Sequence, residues 1–390
     1  MKNRLAILTL LCLCMTFIAS GQNYVDSLTI ELDSHYIKSD LPGFAVALVD
    51  QDRVIYEHGF GFADRLTKAP FTPETILNVG SVSKTIVGVA LVKAIEDGSL
   101  TMDTEINSLL PFTIVNPYHK DVPILVRHLC SHSSTLLDTR HYRNTYIAPV
   151  ENQYLSEGIS QDFANFINGH PKMPMIDFLE HIYSEEGKWY RSRNFLKEKP
   201  GAVFHYSNLN AALAAYLIQT AAVKPFDFYT EEKILEPLGM TSSAWKTDYL
   251  DKSKFATRYF PNGDIVPDYA LITYPDGGFY SCVADMAKFL VTIIKMSTGT
   301  SEYLNDKYTN ILLPGDEDLD RVFWGINEDT RNVGHSGSDP GTQADLQFNL
   351  DRKIGRVILT NINAEDNKDL EEQYGDIFSI LAKYEKLIIR

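Results

Sequence analysis

Residues 43–64 read GFAVALVDQDRVIYEHGFGFAD, and the pattern returns near the other end of the chain as QADLQFNLDRKIGRVILTN, residues 343–361. In the first stretch, Gly43 to Asp50 and Val54 to Asp64 are β-rich runs separated by Gln51-Asp52-Arg53, the pattern and turn chemistry of a hairpin. In the second, Gln343 to Leu350 and Ile354 to Asn361 flank Asp351-Arg352-Lys353 in the same way, and Asp369 to Ile389 then carries helical periodicity. Strand pairs at both ends of one chain predict a single antiparallel sheet built by the two termini. Helices must cover its faces, which makes the fold class α+β.

Between the hairpins the chain reads as mostly helical or irregular. Thr85 to Gly98, Met175 to Tyr183, Asn210 to Ala222 and Asp285 to Met296 place apolar residues at helical intervals. Residues from about 115 to 260 therefore read as a mostly helical subdomain inserted in the sheet domain. Within it, Asp138 to Lys199 is long, aromatic and charged with few clean periods, which suits loops overhanging a cleft. The chain contains no internal repeat and no low-complexity tract.

At 390 residues and 44% hydrophobic, the chain can bury a sizeable core as one large domain or two intimately joined ones. Its net charge of -15, with no Lys/Arg stripe, argues against nucleic acid as a partner. Met1-Lys2-Asn3-Arg4, an apolar run from Leu5 to Ala19, and Ser20-Gly21-Gln22 follow the order of a secretory signal. Residues 1–21 are thus expected to be a signal peptide and 22–390 the mature domain, exported to the periplasm or the outside. No membrane span is expected in the mature chain. Cleavage would remove Cys12 and Cys14 and leave Cys130 and Cys282, one in each half, which read as buried thiols rather than a disulfide scaffold.

Chemistry enters at NVGSVSKTIVGVALVKAIEDGSL, residues 78–100. Ser81 and Lys84 stand three apart at the mouth of an almost wholly apolar helix, so they share one helical face and can hydrogen-bond. A serine hydroxyl is a poor nucleophile until a neighbour takes its proton, and a helix N-terminus favours the negative charge that follows. A lysine can be that neighbour once apolar surroundings penalise its ammonium. Ser243 and Lys246 repeat the spacing, but no helical segment follows them at once.

Two further stretches join the first. KPGAVFHYSNLNAALAAYLIQ, residues 199–219, sets Tyr206-Ser207-Asn208 between a Pro-Gly turn and a strongly apolar helix. A phenol beside an ammonium can carry a proton, and an amide can orient a lysine or a substrate carbonyl. Tyr142, Tyr303 and Tyr308 also head Tyr-x-Asn triplets, but only Tyr206 joins a turn to a buried helix. In VGHSGSDPGTQADLQFNL, residues 333–350, His335-Ser336-Gly337 reads as the opening of a strand at a sheet edge, where a bound chain can pair.

Taken in order, Ser81-Val82-Ser83-Lys84, Tyr206-Ser207-Asn208 and His335-Ser336-Gly337 resemble the active-site triplet of the penicillin-recognising serine hydrolases. That group holds class C β-lactamases, DD-carboxypeptidases, D-aminopeptidases and class-C-like esterases. VRHLCSHSS at 126–134, ILEPLGM at 234–240, YPDGGFYSCVADMAKFL at 274–290 and GRVILTN at 355–361 also look like landmarks of that family. The resemblance implies Ser81 as the acylated nucleophile and Lys84 with Tyr206 as the proton-transfer pair. It implies substrate contacts at Asn208, His335, Ser336 and Gly337, and an oxyanion hole made by the backbone N–H groups of Ser81 and Ser338. Two departures stand out: His335 replaces the lysine of β-lactamases, and Thr135 replaces a glycine that usually closes the helix end.

The reading is an exported serine hydrolase that cleaves an amide or ester of a small molecule or peptide through an acyl-enzyme on Ser81. The alternatives are a β-lactamase or D-Ala-D-Ala carboxypeptidase proper, and a ligand-binding relative without turnover. His128 and His132, four apart around Cys130, lack an acidic partner or a His-Glu-x-x-His pattern, so neither metal nor cofactor is assigned. The Gly-x-Ser-x-Gly elbow of α/β-hydrolases is absent.

Overall fold

Strand β1 (Gly43–Asp50) lies mid-sheet because both its faces are apolar. Phe44, Val46 and Leu48 point one way and Ala45, Ala47 and Val49 the other, and all six are fully buried. The computed structural model describes residues 24–149, 158–313, 322–365 and 367–388. The signal segment expected at 1–21 lies outside them.

Strand β2 (Val54–Asp64) pairs antiparallel with β1 through the anticipated turn. The C-terminal strands β3 (Asn332–Asp339), β4 (Thr342–Asn349) and β5 (Ile354–Thr360) complete the sheet, with β5 on the free side of β1 and Val46 opposite Ile358. Short strands Ala69–Pro70 and Gly325–Asn327 finish the edges, giving the order Ala69–Pro70, β2, β1, β5, β4, β3, Gly325–Asn327. Both termini do build one antiparallel sheet.

Helix α1 (24–38) lies beside the face that carries Phe44. The other long helices are α2 (Ser83–Glu96), α3 (Asn208–Ala221), α4 (Val283–Ser297) and α5 (Lys368–Ile388). Helix α5 joins α1 through Leu370, Ile377 and Leu381, which cluster with Leu28 and Leu32. Helix α4 covers the opposite face. Gly355 lets it settle there, since a Cβ on that residue would stand 2.6 Å from Leu290 Cδ2. Helices α2 and α3, buried on nearly every side, pack against each other beyond α4.

Two expectations change. His335-Ser336-Gly337 does not open a strand but sits inside β3, a separate strand joined to β4 by Pro340-Gly341. Glycine and serine fill that stretch, so local β-propensity gives no sign of it. Helix α1 also escapes the periodicity reading, although Leu28 and Leu32 are buried four residues apart on one face. Cys130 and Cys282 are free and buried, as anticipated. Among the described residues no helix is long and apolar enough to cross a membrane.

Candidate active site

Ser81 lies in a 3-10 turn, Gly80–Val82, that runs straight into α2. Gly80 has φ +52°, a conformation that costs glycine little and other residues more. A Cβ on Gly80 would meet Ser338 N at 2.7 Å, and one on Gly337 would meet Val79 O at 2.1 Å and Ser81 N at 2.9 Å. The turn and β3 therefore touch through backbone alone. Register adds a direction: Asp339 faces Thr342 across the two-residue turn, and bonded and non-bonded pairs alternate along an antiparallel ladder. Ser338, next to the closing pair, accordingly turns its N–H and C=O away from β4 and toward Ser81. Gly325–Asn327 reaches only as far as Gly334, so the outer edge of β3 from His335 to Ser338 stays open. The first turn of α2 carries no acidic residue to cancel its positive end.

Lys84 is fully buried, one helical turn beyond Ser81. Its Nζ donates to Asn208 Oδ1 at 2.8 Å, to the backbone carbonyl of Asp276 at 2.6 Å and to Ser81 Oγ at 2.9 Å. Asn208 Oδ1 and the carbonyl can only accept, so they hold two N–H bonds of either protonation state. The remaining tetrahedral position points at Ser81 Oγ. It carries a proton in the ammonium and a lone pair in the amine. The Tyr206 hydroxyl donates to the same oxygen at 3.2 Å, and its ring centroid lies 5.2 Å from Lys84 Nζ. Ser81, Lys84, Tyr206 and Asn208, spread over 128 positions from Ser81 to Asn208 in the sequence, thus meet at one point.

Asp138 holds this arrangement in place, and no sequence argument singled it out. Its carboxylate accepts from Ser207 Oγ at 2.8 Å, from the backbone N–H groups of Asn208 at 2.9 Å and Leu209 at 3.2 Å, and from Asn208 Nδ2 at 2.9 Å. It caps α3 from outside the helix. Because Asn208 Nδ2 must face this carboxylate, Oδ1 must face Lys84. Asp138 stands 70 residues before Asn208, and local spacing cannot reveal such a partner.

His132 packs under Tyr206, ring centroids 4.5 Å apart, and its Nδ1 receives the N–H of Ser207. Burial lowers its pKa to about 3, so the ring is neutral. His132 and Thr135 take φ +52° and +72°. Thr135 thus adopts the left-handed conformation a glycine would take there, and its Oγ1 accepts from Asn116 at 2.9 Å. Although partly exposed, His335 has its pKa lowered to about 4, by burial first and by the nearby Lys84 charge next. Its Nδ1 donates to the Ser336 carbonyl, which leaves Nε2 as the unprotonated nitrogen. The third motif therefore brings no cation to the cleft.

Two more carboxyls lie beneath the site. Asp276, whose backbone carbonyl holds Lys84, buries its side chain, receives the Tyr142 hydroxyl at 3.1 Å and interacts with the Thr273 side chain. Burial raises its pKa to about 7. Asp339, at the end of β3, receives Tyr146 Oη at 2.5 Å and Asn78 Nδ2 at 3.1 Å, and burial raises it to about 6. The competing pair resolves differently: Ser243 Oγ bonds Asp285 at 2.9 Å, and Lys246 pairs with Asp227 instead of Ser243.

Known proteins resemble this chain over most of its length. Protein flp of Staphylococcus aureus (strain N315) is 22% identical over 364 residues, covering 89% of this chain and 67% of its own. The penicillin-binding protein homologue of Pyrococcus abyssi, an octamer, superposes with a TM-score of 0.69 at 23% identity over 92% of this chain and 77% of its own. The D-amino acid amidase of Ochrobactrum anthropi SV3 superposes with a TM-score of 0.63 at 20% identity over 93% of this chain and 99% of its own. The family profile for Beta-lactamase matches residues 25–377. Nearly the whole chain is thereby accounted for, and it belongs to the Beta-lactamase family.

Proposed function

We propose that the protein cleaves an ester or amide through an acyl-enzyme on Ser81. One observation carries the reading: two fixed acceptors orient Lys84 so that its last tetrahedral position meets the Ser81 hydroxyl at 2.9 Å. In the first half-reaction the Lys84–Tyr206 pair takes the hydroxyl proton as Oγ bonds the substrate carbonyl carbon. The backbone N–H groups of Ser81 and Ser338 receive the negative charge that forms on the carbonyl oxygen. Tyr206, half open to the cleft, then delivers the proton to the departing alkoxide or amine. Water reverses the sequence and frees Ser81. The proton role belongs to the pair, since strongly coupled groups titrate together.

A neutral His335 favours substrates without a carboxylate beside the leaving group. Neutral esters and amides therefore stand ahead of β-lactams and D-Ala-D-Ala peptides. A fluorophosphonate probe, followed by intact-mass measurement and peptide mapping, tests the assignment. One adduct on Ser81 and none in Ser81→Ala is expected; an unlabelled wild-type protein, with ester turnover also missing, would point to a ligand-binding relative. Export rests on residues 1–21, and N-terminal sequencing of the protein recovered outside the cytoplasm would locate the cleavage.

A further inference from the structure

Beyond the end of β3 lies a groove of about 700 Å3 that the chemistry above does not use. Tyr146, Phe163, Phe166, Phe260, Pro261 and Pro340 form its apolar walls, and Ser160, Asp162 and Asn262 add polar groups to the lining. The aromatic rings already brace one another: Phe163 sits 5.6 Å from Phe260, 5.9 Å from Phe166 and 6.5 Å from Tyr146, centroid to centroid. Arg143 lies at the rim with its guanidinium over Phe166 at 5.0 Å. The groove is tied to the strand at two points. Pro340 follows directly on β3, and the Tyr146 hydroxyl bonds Asp339.

Direction follows from the proton path. Tyr206 carries the proton to the leaving group, and its ring lies 6.1 Å from that of His335. The leaving group therefore sits at the His335 end of the open edge. With the carbonyl oxygen between Ser81 N–H and Ser338 N–H, the acyl chain must run the other way, toward Asp339 and Pro340. The groove begins two residues past Ser338, about 7 Å along an extended strand.

We propose that this groove is the acyl-chain site, and that the enzyme's preferred substrates are esters or amides of apolar acids ending in an aromatic or similarly bulky group. The proposal rests on the Ser81 acyl-enzyme reading and names the substrate class for it. Such a group would meet preformed aromatic walls where β3 ends. A short acyl group such as acetate would not reach the walls. An anionic acyl terminus would meet apolar rings and, at the rim, both the Arg143 guanidinium and the Asp162 carboxylate, so the groove offers it no net positive charge.

The test compares p-nitrophenyl 4-phenylbutanoate with p-nitrophenyl acetate on the full chain, with acetate hydrolysis as the internal reference. We expect kcat/KM for the phenylbutanoate to exceed that for the acetate by about tenfold or more, the scale a hydrophobic pocket allows. Ser160→Trp, which plugs the lined groove, and Phe163→Ala, which removes a wall, should each reduce that ratio at least fivefold, about 1 kcal/mol. Thermal unfolding of both variants separates a lost groove from a lost fold, and the plug keeps the test alive where removal of the wall unfolds the protein. A ratio near unity in the wild type, or one that neither variant changes, overturns the groove. If neither ester is turned over and Ser81 takes no fluorophosphonate, the acyl-enzyme reading itself fails, and the groove assignment with it.

Discussion

Two buried ionisable groups, the Lys84 amine and the Asp276 carboxyl, meet at residue 276 and are held differently. Lys84 Nζ meets Asn208, Ser81 and the Asp276 carbonyl, whereas the carboxyl of that same Asp276 has the Tyr142 and Thr273 side chains as its polar partners among the described residues. The lysine's geometry is fully specified by partners on α3 and on the 274–276 turn; the carboxyl is kept dry with neutral hydroxyl partners only. A group held from three sides can do chemistry repeatedly without reorganising. A carboxyl held only by neutral hydroxyls is a cost that the fold carries, and the pH of the solution can change how large that cost is.

Removing the lysine tests the first half of this contrast and should give the largest effect. Lys84→Met, which keeps the volume, is expected to lower kcat/KM for a neutral ester by about a thousandfold or more while the far-ultraviolet circular dichroism stays native. Ordinary rates in that variant would remove Lys84 from the proton path. Asp138→Ala comes next. It takes the cap from α3 and frees Asn208 to rotate, so stability should fall by about 2 kcal/mol and turnover should drop together with it. If turnover were unchanged at a temperature where the variant is folded, the orientation of Asn208 would not depend on Asp138.

His335→Lys is expected to shift selectivity by about tenfold toward a carboxylate-bearing substrate such as nitrocefin relative to a neutral ester. An unchanged preference would place His335 away from that part of the substrate. The subtlest effect concerns Asp276. Its folded pKa of about 7 stands above the value of 3.8 for an ordinary aspartate, so the folded state holds the extra proton. Its contribution to stability is complete below about pH 4 and is lost as pH rises toward 7 and beyond. Neutral His132 and His335 act in the opposite sense, losing stability as pH falls below about 6.5 toward 3 and 4. Asp276→Asn cancels only the first effect. The stability of the variant relative to the wild type should therefore rise from pH 4 to pH 8, measured by denaturant unfolding; parallel curves would mean Asp276 ionises in the fold at no cost.

The sequence was informative wherever the deciding contacts are local. Alternation marked β1, β2, β4 and β5, and apolar periodicity marked α2 and α3, because burial acts on neighbouring residues. Ser81 and Lys84 could be paired by counting three positions along a helix. Asp138, Asp276 and Asp339 could not, since each finds its partners across 69 to 261 positions of chain. The extent of β3, which the sequence suggested only from His335 onward, was obscured for another reason: Gly334, Ser336, Gly337 and Ser338 are there for close approach and an open edge, which is the reverse of what favours a strand in isolation. The decoy pair Ser243 and Lys246 was set aside because no helix follows it, but its actual partners, Asp285 and Asp227, lie beyond the reach of local spacing.

The bare contact between Gly80 and Gly337 has an evolutionary corollary. Since turn and strand meet without side chains, the distance between the two amides is set by peptide geometry, and position 338 is asked for nothing but its N–H. Any amino acid other than proline can supply that, so residue 338 is free to drift toward whatever the bound molecule requires while the two glycines beside it are not.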